Sequence, residues 1–475
     1  MGERLREWIS PIILLSSNPL SLLGVVLTTT GAVLWLFLLP NMLSGRASHP
    51  YMGIAMFLAL PAIFFSGLLL IPLGIWLKKR KERRLGLLPA GKVHLDFGSP
   101  QVRRLAAFLV ITTAVNVVIG GQLSYRAVTY MDSVSFCGQT CHTVMQPEFT
   151  AYQNSPHSRV ECVACHIGPG ANWFVKSKLS GSWQVVSVTF NLYPRPIPTP
   201  VENLRPARET CEQCHWPQKY GADRIRVIDK YADDEANTHT KTVLLMRIGG
   251  GKETRGIHGV HLGPGVVIRY GHQDRQRQKI PWVEYNDGKG RVTQYLEAGA
   301  QPGMEKNLNV RIMDCMDCHN RPSHAFELPE RAIDHALSTG EIPATLPFVK
   351  KVSLELVRKD YASHEESTQA ILAGFEKFYR EQQPETFRQR RLDVEKAAHA
   401  VAAIYARNVF PAMNVKWGAY PNNIGHTDFP GCFRCHDDNH VGGGRKITQD
   451  CNACHQLLAM EEANPKILSE LGLAN

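Results

Sequence analysis

The 475-residue chain carries 53 Lys+Arg against 43 Asp+Glu, a formal net charge of +10. That excess is local: residues 1–128 hold 13 basic and 4 acidic side chains, leaving 40 against 39 for the remainder. A nearly neutral larger part excludes the clustered basic footprint of a nucleic-acid-binding protein, and the length is enough for two or three domains.

The first 128 residues read as a membrane part. Three apolar, charge-free runs, at about 19–39, 51–77 and 105–125, are long enough to cross a bilayer as helices. The first is taken as a span rather than a cleaved signal peptide, because no small-residue cleavage site follows it. Pro61 and Pro72 lie inside the second run, where neighbouring helices can re-satisfy the freed carbonyls. Lys78–Arg84 (KKRKERR) follows the second run, whereas the loop before it has the single base Arg46. By the positive-inside rule the basic loop is cytoplasmic, and everything from about Tyr130 onward emerges in the periplasm.

Directly after the third run come the cysteines. All 12 fall into six pairs: Cys137/Cys141, Cys162/Cys165, Cys211/Cys214, Cys315/Cys318, Cys432/Cys435 and Cys451/Cys454. Each second cysteine is followed at once by a histidine: His142, His166, His215, His319, His436 and His455. Zinc knuckles, redox dithiols and disulfides need only the cysteines. Two thiols plus an adjacent His are what covalent haem c requires, the thiols binding the porphyrin vinyl groups and the His the iron. The expectation is six haem c groups, the first on a C-x-x-x-C-H variant, attached in the periplasm of a bacterial inner-membrane, multi-pass protein.

Between the sites the chain reads as follows. A Pro-rich connector occupies Leu192–Pro200 (LYPRPIPTP). Residues 240–298 are β-rich, with Asp287-Gly288 as a hairpin turn between alternating strands. Residues 328–408 have helical spacing and few breakers, which predicts two to four helices. The fold class is therefore a multihaem cytochrome c. It has an N-terminal bundle of three transmembrane helices (1–128), then an irregular, mainly α, haem-packed periplasmic domain with a small β-rich insertion. That domain divides into 129–325 with four sites, a helical segment 326–410, and a two-site module 411–475.

Thirteen histidines remain after the six attachment residues, and each iron takes a second axial ligand. His157, His324, His426 and His440 are the candidates nearest the motifs, the last two bracketing the fifth site. One of His258 and His261, in GIHGVH, is the candidate for the third haem. Met145, three residues after His142, is the candidate for the first haem, its alternative being core packing.

A membrane helix leading into a haem site with a nearby Met, followed by Ser155-Pro156-His157 and Cys162-x-x-Cys165-His166, resembles the NapC/NirT/NrfH family of quinol dehydrogenases over roughly 105–325. The resemblance implies His157 on the Cys315/Cys318 haem and His324 on the Cys162/Cys165 haem. It also implies Lys178 as a competitor for the third haem. The position that carries an acid in the family's quinol site reads SWQVV here and offers Gln184. The extra membrane runs and the two C-terminal haems depart from the four-haem pattern. They make the chain resemble the larger inner-membrane multihaem cytochromes of metal-respiring bacteria.

The expected function is oxidation of menaquinol or ubiquinol from the lipid bilayer, with electrons passed along the haems to periplasmic c-type cytochromes or a periplasmic reductase. Asp132, Glu148 and Lys178 are the nearest proton acceptors to the first haem. The competing expectations are an electron-carrying subunit whose partner oxidises the quinol, and a terminal reductase. The reductase needs an open iron position that the supply of histidines argues against.

Overall fold

The computed structural model describes residues 18–43, 59–85 and 125–473 except 141, 169, 202–203, 217–220 and 251–254, with isolated positions between 100 and 122. The chain divides into two units, Met1–His142 and Thr143–Asn475.

In the first unit, two of the apolar runs form helices α1 (Pro19–Leu43) and α2 (Leu60–Arg84). Helix α2 continues unbroken through Pro72 into the basic run. Among the described residues, Leu60–Lys78 is the one helix long and apolar enough to cross a membrane, and Pro19–Ala32 is apolar but shorter. Most of the expected third span (105–125) and the start of the second (51–58) lie outside the described residues. Helices α1 and α2 pack through Gly24 and Gly31 on one and Gly67 and Gly74 on the other, with no side chain to hold the backbones apart. A Cβ added at Gly67 would stand 2.7 Å from the carbonyl oxygen of Gly24. Ser21 Oγ donates across the interface to the Ile71 carbonyl at 3.0 Å. Small residues let two helix backbones approach this closely, and the interhelical hydrogen bond adds to their association.

The second unit alternates short helices at the haem motifs with sheet. Helices α3 (His142–Gln153), α4 (Cys162–His166), α5 (Ala171–Thr189) and α6 (Ala207–Cys211) come first. Strands β1 (Arg224–Tyr231) and β2 (His239–Met246), helix α7 (Gly256–Leu262), strands β3 (Val267–His272), β4 (Trp282–Asn286), β5 (Val292–Leu296) and β6 (Asn309–Ile312), and helix α8 (Cys315–Cys318) follow. The hairpin expected at Asp287-Gly288 joins β4 to β5 in the register Asn286↔Val292. The Asp287 carboxylate accepts the backbone N–H of Lys289 and Arg291, and Gly288 takes φ +70°.

Five helices then build the largest core: α9 (Pro329–Ser338), α10 (Val349–Val357), α11 (His364–Gln382), α12 (Pro384–Gln389) and α13 (Arg391–Asn408). This is one more than the two to four expected, because Pro384 starts a new helix where the apolar periodicity continues. Their inward faces, among them Ile333, Ile371, Phe375, Val401 and Ile404, are fully buried. This core contains no haem motif; aliphatic and aromatic packing fills it, with the Lys350–Asp334 ion pair at 2.8 Å inside it.

The chain ends with β7 (Val441–Gly442), β8 (Arg445–Lys446), α14 (Cys451–Cys454), β9 (His455–Glu462) and α15 (Lys466–Glu470). The strands form a three-stranded sheet in the order β1-β2-β9 and a six-stranded sheet in the order β6-β3-β4-β5-β7-β8. The β structure thus reaches beyond the expected 240–298 in both directions. Residues 441–462 supply edge strands to both sheets, so the C-terminal two-site segment is hydrogen-bonded into the preceding sheet rather than set apart. Unpaired strand edges seek partners wherever the chain offers them.

Candidate haem sites

Each described attachment motif sits on a single tight turn. At the fourth site Asp314 caps α8 by accepting Met316 N–H, and Asp317 returns its carboxylate to the Asp314 N–H, a reciprocal capping box. The Asp317 carboxylate is buried, at 2% side-chain exposure, and also accepts the Tyr270 hydroxyl at 2.5 Å and N–H groups of Arg277 and Arg311 at 3.0 Å. Burial and the adjacent Asp317 charge push the Tyr270 phenol far above its ordinary range, which keeps it a hydrogen-bond donor. Arg434, inside the fifth motif, donates to the Asp317 carbonyl at 2.6 Å and the Arg277 carbonyl at 2.9 Å. The fourth and fifth attachment turns are therefore tied through one guanidinium.

The attachment cysteines follow one another in space. Helix α6 packs on both α4 and α8. Cys165 lies within charge range of Cys214, and Cys211 shares a hydrogen bond with Cys315. Cys318 lies within charge range of Cys432, and so does Cys454. The second, third and fourth motifs are thus neighbours in space, and Arg434 ties the fourth to the fifth.

The histidine rings carry the most specific geometry. His166 faces His324 with ring centres 6.1 Å apart, His215 faces His157 at 5.9 Å, and His319 faces His258 at 6.3 Å. His436 faces His261 at 5.8 Å, and His455 faces His426 at 6.2 Å. A first-row metal bonded at about 2 Å to a nitrogen of each of two opposed imidazoles sets their centres roughly 6 Å apart. Every one of the five pairs joins an attachment histidine to a spare one.

Hydrogen bonding selects the matching tautomer. Nδ1 of His157, His261, His324 and His436 donates to the carbonyl oxygens of Pro322, Ile257, Glu148 and Thr448, respectively. That leaves Nε2 of each without a hydrogen-bond partner among the described residues, the arrangement typical of metal-bound imidazoles. Desolvation lowers the proton affinity of His258, His261, His319, His324 and His455, keeping a lone pair on the ring. The donor set fits haem c with two axial histidines.

Several expectations change. His157 faces His215 of the third site rather than His319 of the fourth, although its Nδ1 bonds the Pro322 carbonyl three residues past His319. His258 and His261 face His319 and His436, not the third site's histidine. His440, expected as a ligand, is 1% exposed in its side chain, with Nδ1 2.9 Å from an Asp437 carboxylate oxygen and Nε2 2.6 Å from the Ile280 carbonyl oxygen. Both ring nitrogens face acceptors, so neither is open to iron. His426 stacks on Phe433 at 4.2 Å besides facing His455 at 6.2 Å. Lys178, the alternative for the third site, lies on α5, while the His215 ring meets His157.

The candidate proton acceptors separate. Glu148 on α3 is a half-buried ion-pair partner: both its oxygens accept Arg321 Nη2, at 3.1 and 3.0 Å, and one lies 3.3 Å from His324 Nδ1. Arg321 also donates to the His324 carbonyl at 2.6 Å and stacks on Tyr420 at 4.3 Å. With its oxygens so engaged, Glu148 braces His324 instead of standing open to a proton donor. Sequence reasoning passed over Arg321, whose only local signal is its place two residues after His319. Asp132 follows a helical turn in the first unit, its N–H donating to the Val128 carbonyl. Gln184 lies on α5 with Nε2 3.4 Å from Ser180 Oγ. Met145 is half-buried on α3, one turn after His142. Cys141 and the His142 side chain lie outside the described residues.

The N-terminal-region model of the NapC/NirT cytochrome c family matches residues 99–195. Among curated proteins, the cytochrome c-type protein ImcH of Geobacter sulfurreducens is 40% identical over 454 residues, covering 94% of this chain and 89% of that protein. No solved structure matches. Cysteine-histidine motifs on tight turns, opposed imidazoles at metal-bridging distance and this likeness along nearly the whole length lead to one assignment: the chain belongs to the NapC/NirT family of multihaem c-type cytochromes.

Proposed function

We propose that the protein is an inner-membrane hexahaem cytochrome that oxidises quinol and passes the electrons to periplasmic cytochromes in anaerobic or extracellular respiration. The observation that carries this reading is the set of five histidine pairs, each joining a covalent attachment site to a ring from elsewhere in the chain. When bound, haem c supplies one-electron exchange and the apolar surface around which the irregular segments pack. In this reading His324, His157 and His426 are the second ligands at the sites of His166, His215 and His455. Met145 serves the site of His142. The Nδ1 bonds of His324 and His157 to backbone carbonyls orient those rings before haem arrives.

Helix α5 supports the lipid end of the path. Val175, Leu179, Trp183, Val186 and Phe190 recur at helical spacing along it and its C-terminal cap, at 41–69% exposure. Such an apolar, aromatic stripe suits the boundary between lipid and water. The same helix carries Lys178 and Gln184. Oxidation of a quinol releases two protons with its two electrons, and Lys178 and Asp132 are the groups proposed to take them. Gln184 is proposed to hold a quinol oxygen by its amide.

A second reading, in which a partner protein oxidises the quinol, is favoured by Glu148 being tied to Arg321 and by an amide standing at Gln184. The deciding experiment adds a reduced quinol analogue to purified, fully haem-loaded protein in detergent and follows haem absorbance. Rapid reduction is expected. Absence of reduction in protein that dithionite does reduce overturns quinol oxidation and leaves the carrier reading.

A further inference from the structure

Helix α7 is only seven residues long, yet it presents two histidines to two different attachment sites. His258 and His261 stand at i and i+3, on one side of the helix, where side chains are neighbours about 5–6 Å apart at Cβ. The His258 ring faces His319, behind the Cys315/Cys318 turn, and the His261 ring faces His436, behind the Cys432/Cys435 turn.

We propose that α7 is a shared ligand helix, in which His258 completes the fourth haem and His261 completes the fifth, clipping the four-haem region to the C-terminal pair. This rests on the six-haem reading above and deepens it. Neither ring then serves the third haem, whose histidine, His215, meets His157.

Three further observations agree. His261 Nδ1 donates to the Ile257 carbonyl of its own helix at 2.7 Å, which directs Nε2 outward. The helix is anchored at its start by the Ile257 and His258 N–H groups donating to the Arg247 and Ile248 carbonyls, at 2.9 and 2.8 Å, at the end of β2. Gly256 holds φ +73°, and a Cβ there would lie 2.7 Å from Gly249 N, so this anchor accepts only glycine without strain. Finally, Arg434 joins the same two attachment turns, by its bond to the Asp317 carbonyl. The fourth and fifth sites are thus linked through α7 and through a guanidinium, with both links independent of the haem-free helical core.

The test uses the full-length protein in detergent. His258→Gly, His261→Gly and the double variant are compared with wild type by electron paramagnetic resonance and by spectroelectrochemical titration. Each single variant is expected to convert one low-spin haem to high spin, the double variant two, and added imidazole to restore the low-spin signal. His258→Met and His261→Met keep a sixth ligand if the glycine variants fail to mature, and each should raise the potential of one haem. A double variant that alters only one haem, or singles that alter none, overturns the shared helix. Failure of the six-haem reading appears separately, as wild-type protein whose intact mass lacks six haems.

Discussion

The Glu148–Arg321 pair gives the sharpest quantitative test of how the His324 ring is held opposite His166. Arg321 and Glu148 have side-chain exposures of 7% and 16%, so solvent screens their interaction little. Replacing Arg321 with Met leaves a mostly buried carboxylate without its cation and should cost up to about 3–5 kcal/mol, beyond which lies the lost stacking on Tyr420. Glu148→Gln keeps an amide oxygen toward Arg321 and should cost about 1–3 kcal/mol. The double variant should be more stable than the sum of the two losses predicts, by a coupling of about 0.5–3 kcal/mol. Denaturant unfolding of the haem-loaded protein, followed by near-ultraviolet circular dichroism, measures all three. A redox titration supplies an independent sign. Removing the negative charge beside His324 should raise the potential of one haem, and removing the positive charge should lower it. An Arg321→Met protein within about 1 kcal/mol of wild type, or two potential shifts of the same sign, refutes the bracing role.

Four other outcomes follow from the same structure. His440→Leu should leave every haem low-spin yet destabilise the fold by about 1–3 kcal/mol by stranding the Asp437 carboxylate and the Ile280 carbonyl; a new high-spin signal in the resonance spectrum would make His440 a ligand after all. Gly67→Val forces apart α1 and α2 and should cost about 1–3 kcal/mol, read as a lower temperature for loss of their helical signal in detergent. Leu179→Glu with Trp183→Glu on α5 should raise KM for quinol while leaving the haem spectrum unchanged; an unaltered KM removes α5 from the quinol path. The Asp287 carboxyl is held below its usual range by the backbone N–H groups of Lys289 and Arg291. Its contribution to stability is present above the unfolded carboxyl's pKa of about 3.9 and is lost as pH falls below that through the lower folded value. Asp287→Asn should flatten that part of the acid-unfolding curve.

Local chemistry explains which features were legible from residues alone. An attachment site is six contiguous residues or fewer, and a thiol pair followed by His has one economical use, so each motif declares itself without knowledge of its neighbours. Apolar runs with a basic flank, the Asp287-Gly288 hairpin and the helical spacing after Leu328 are likewise readable over a short window. The register of β9 on β2 was not, because nothing near His455 states which sheet edge will be open. The same holds for Glu148: in sequence it is an acid beside the first site, and only packing brings Arg321 and His324 onto it.

The histidine pairings mark the boundary most clearly. Sequence determined that haem motifs exist, in what order, and that histidines were plentiful enough to complete them. Tertiary structure decided which ring meets which site, moving His157 onto His215, dividing α7 between His319 and His436, and sealing His440 against Asp437 and Ile280. The physical reason is that the proximal bond is made within one turn of chain, where spacing dictates geometry. The opposite bond needs a ring that long-range packing delivers to within about 6 Å, and many spare histidines compete for that place.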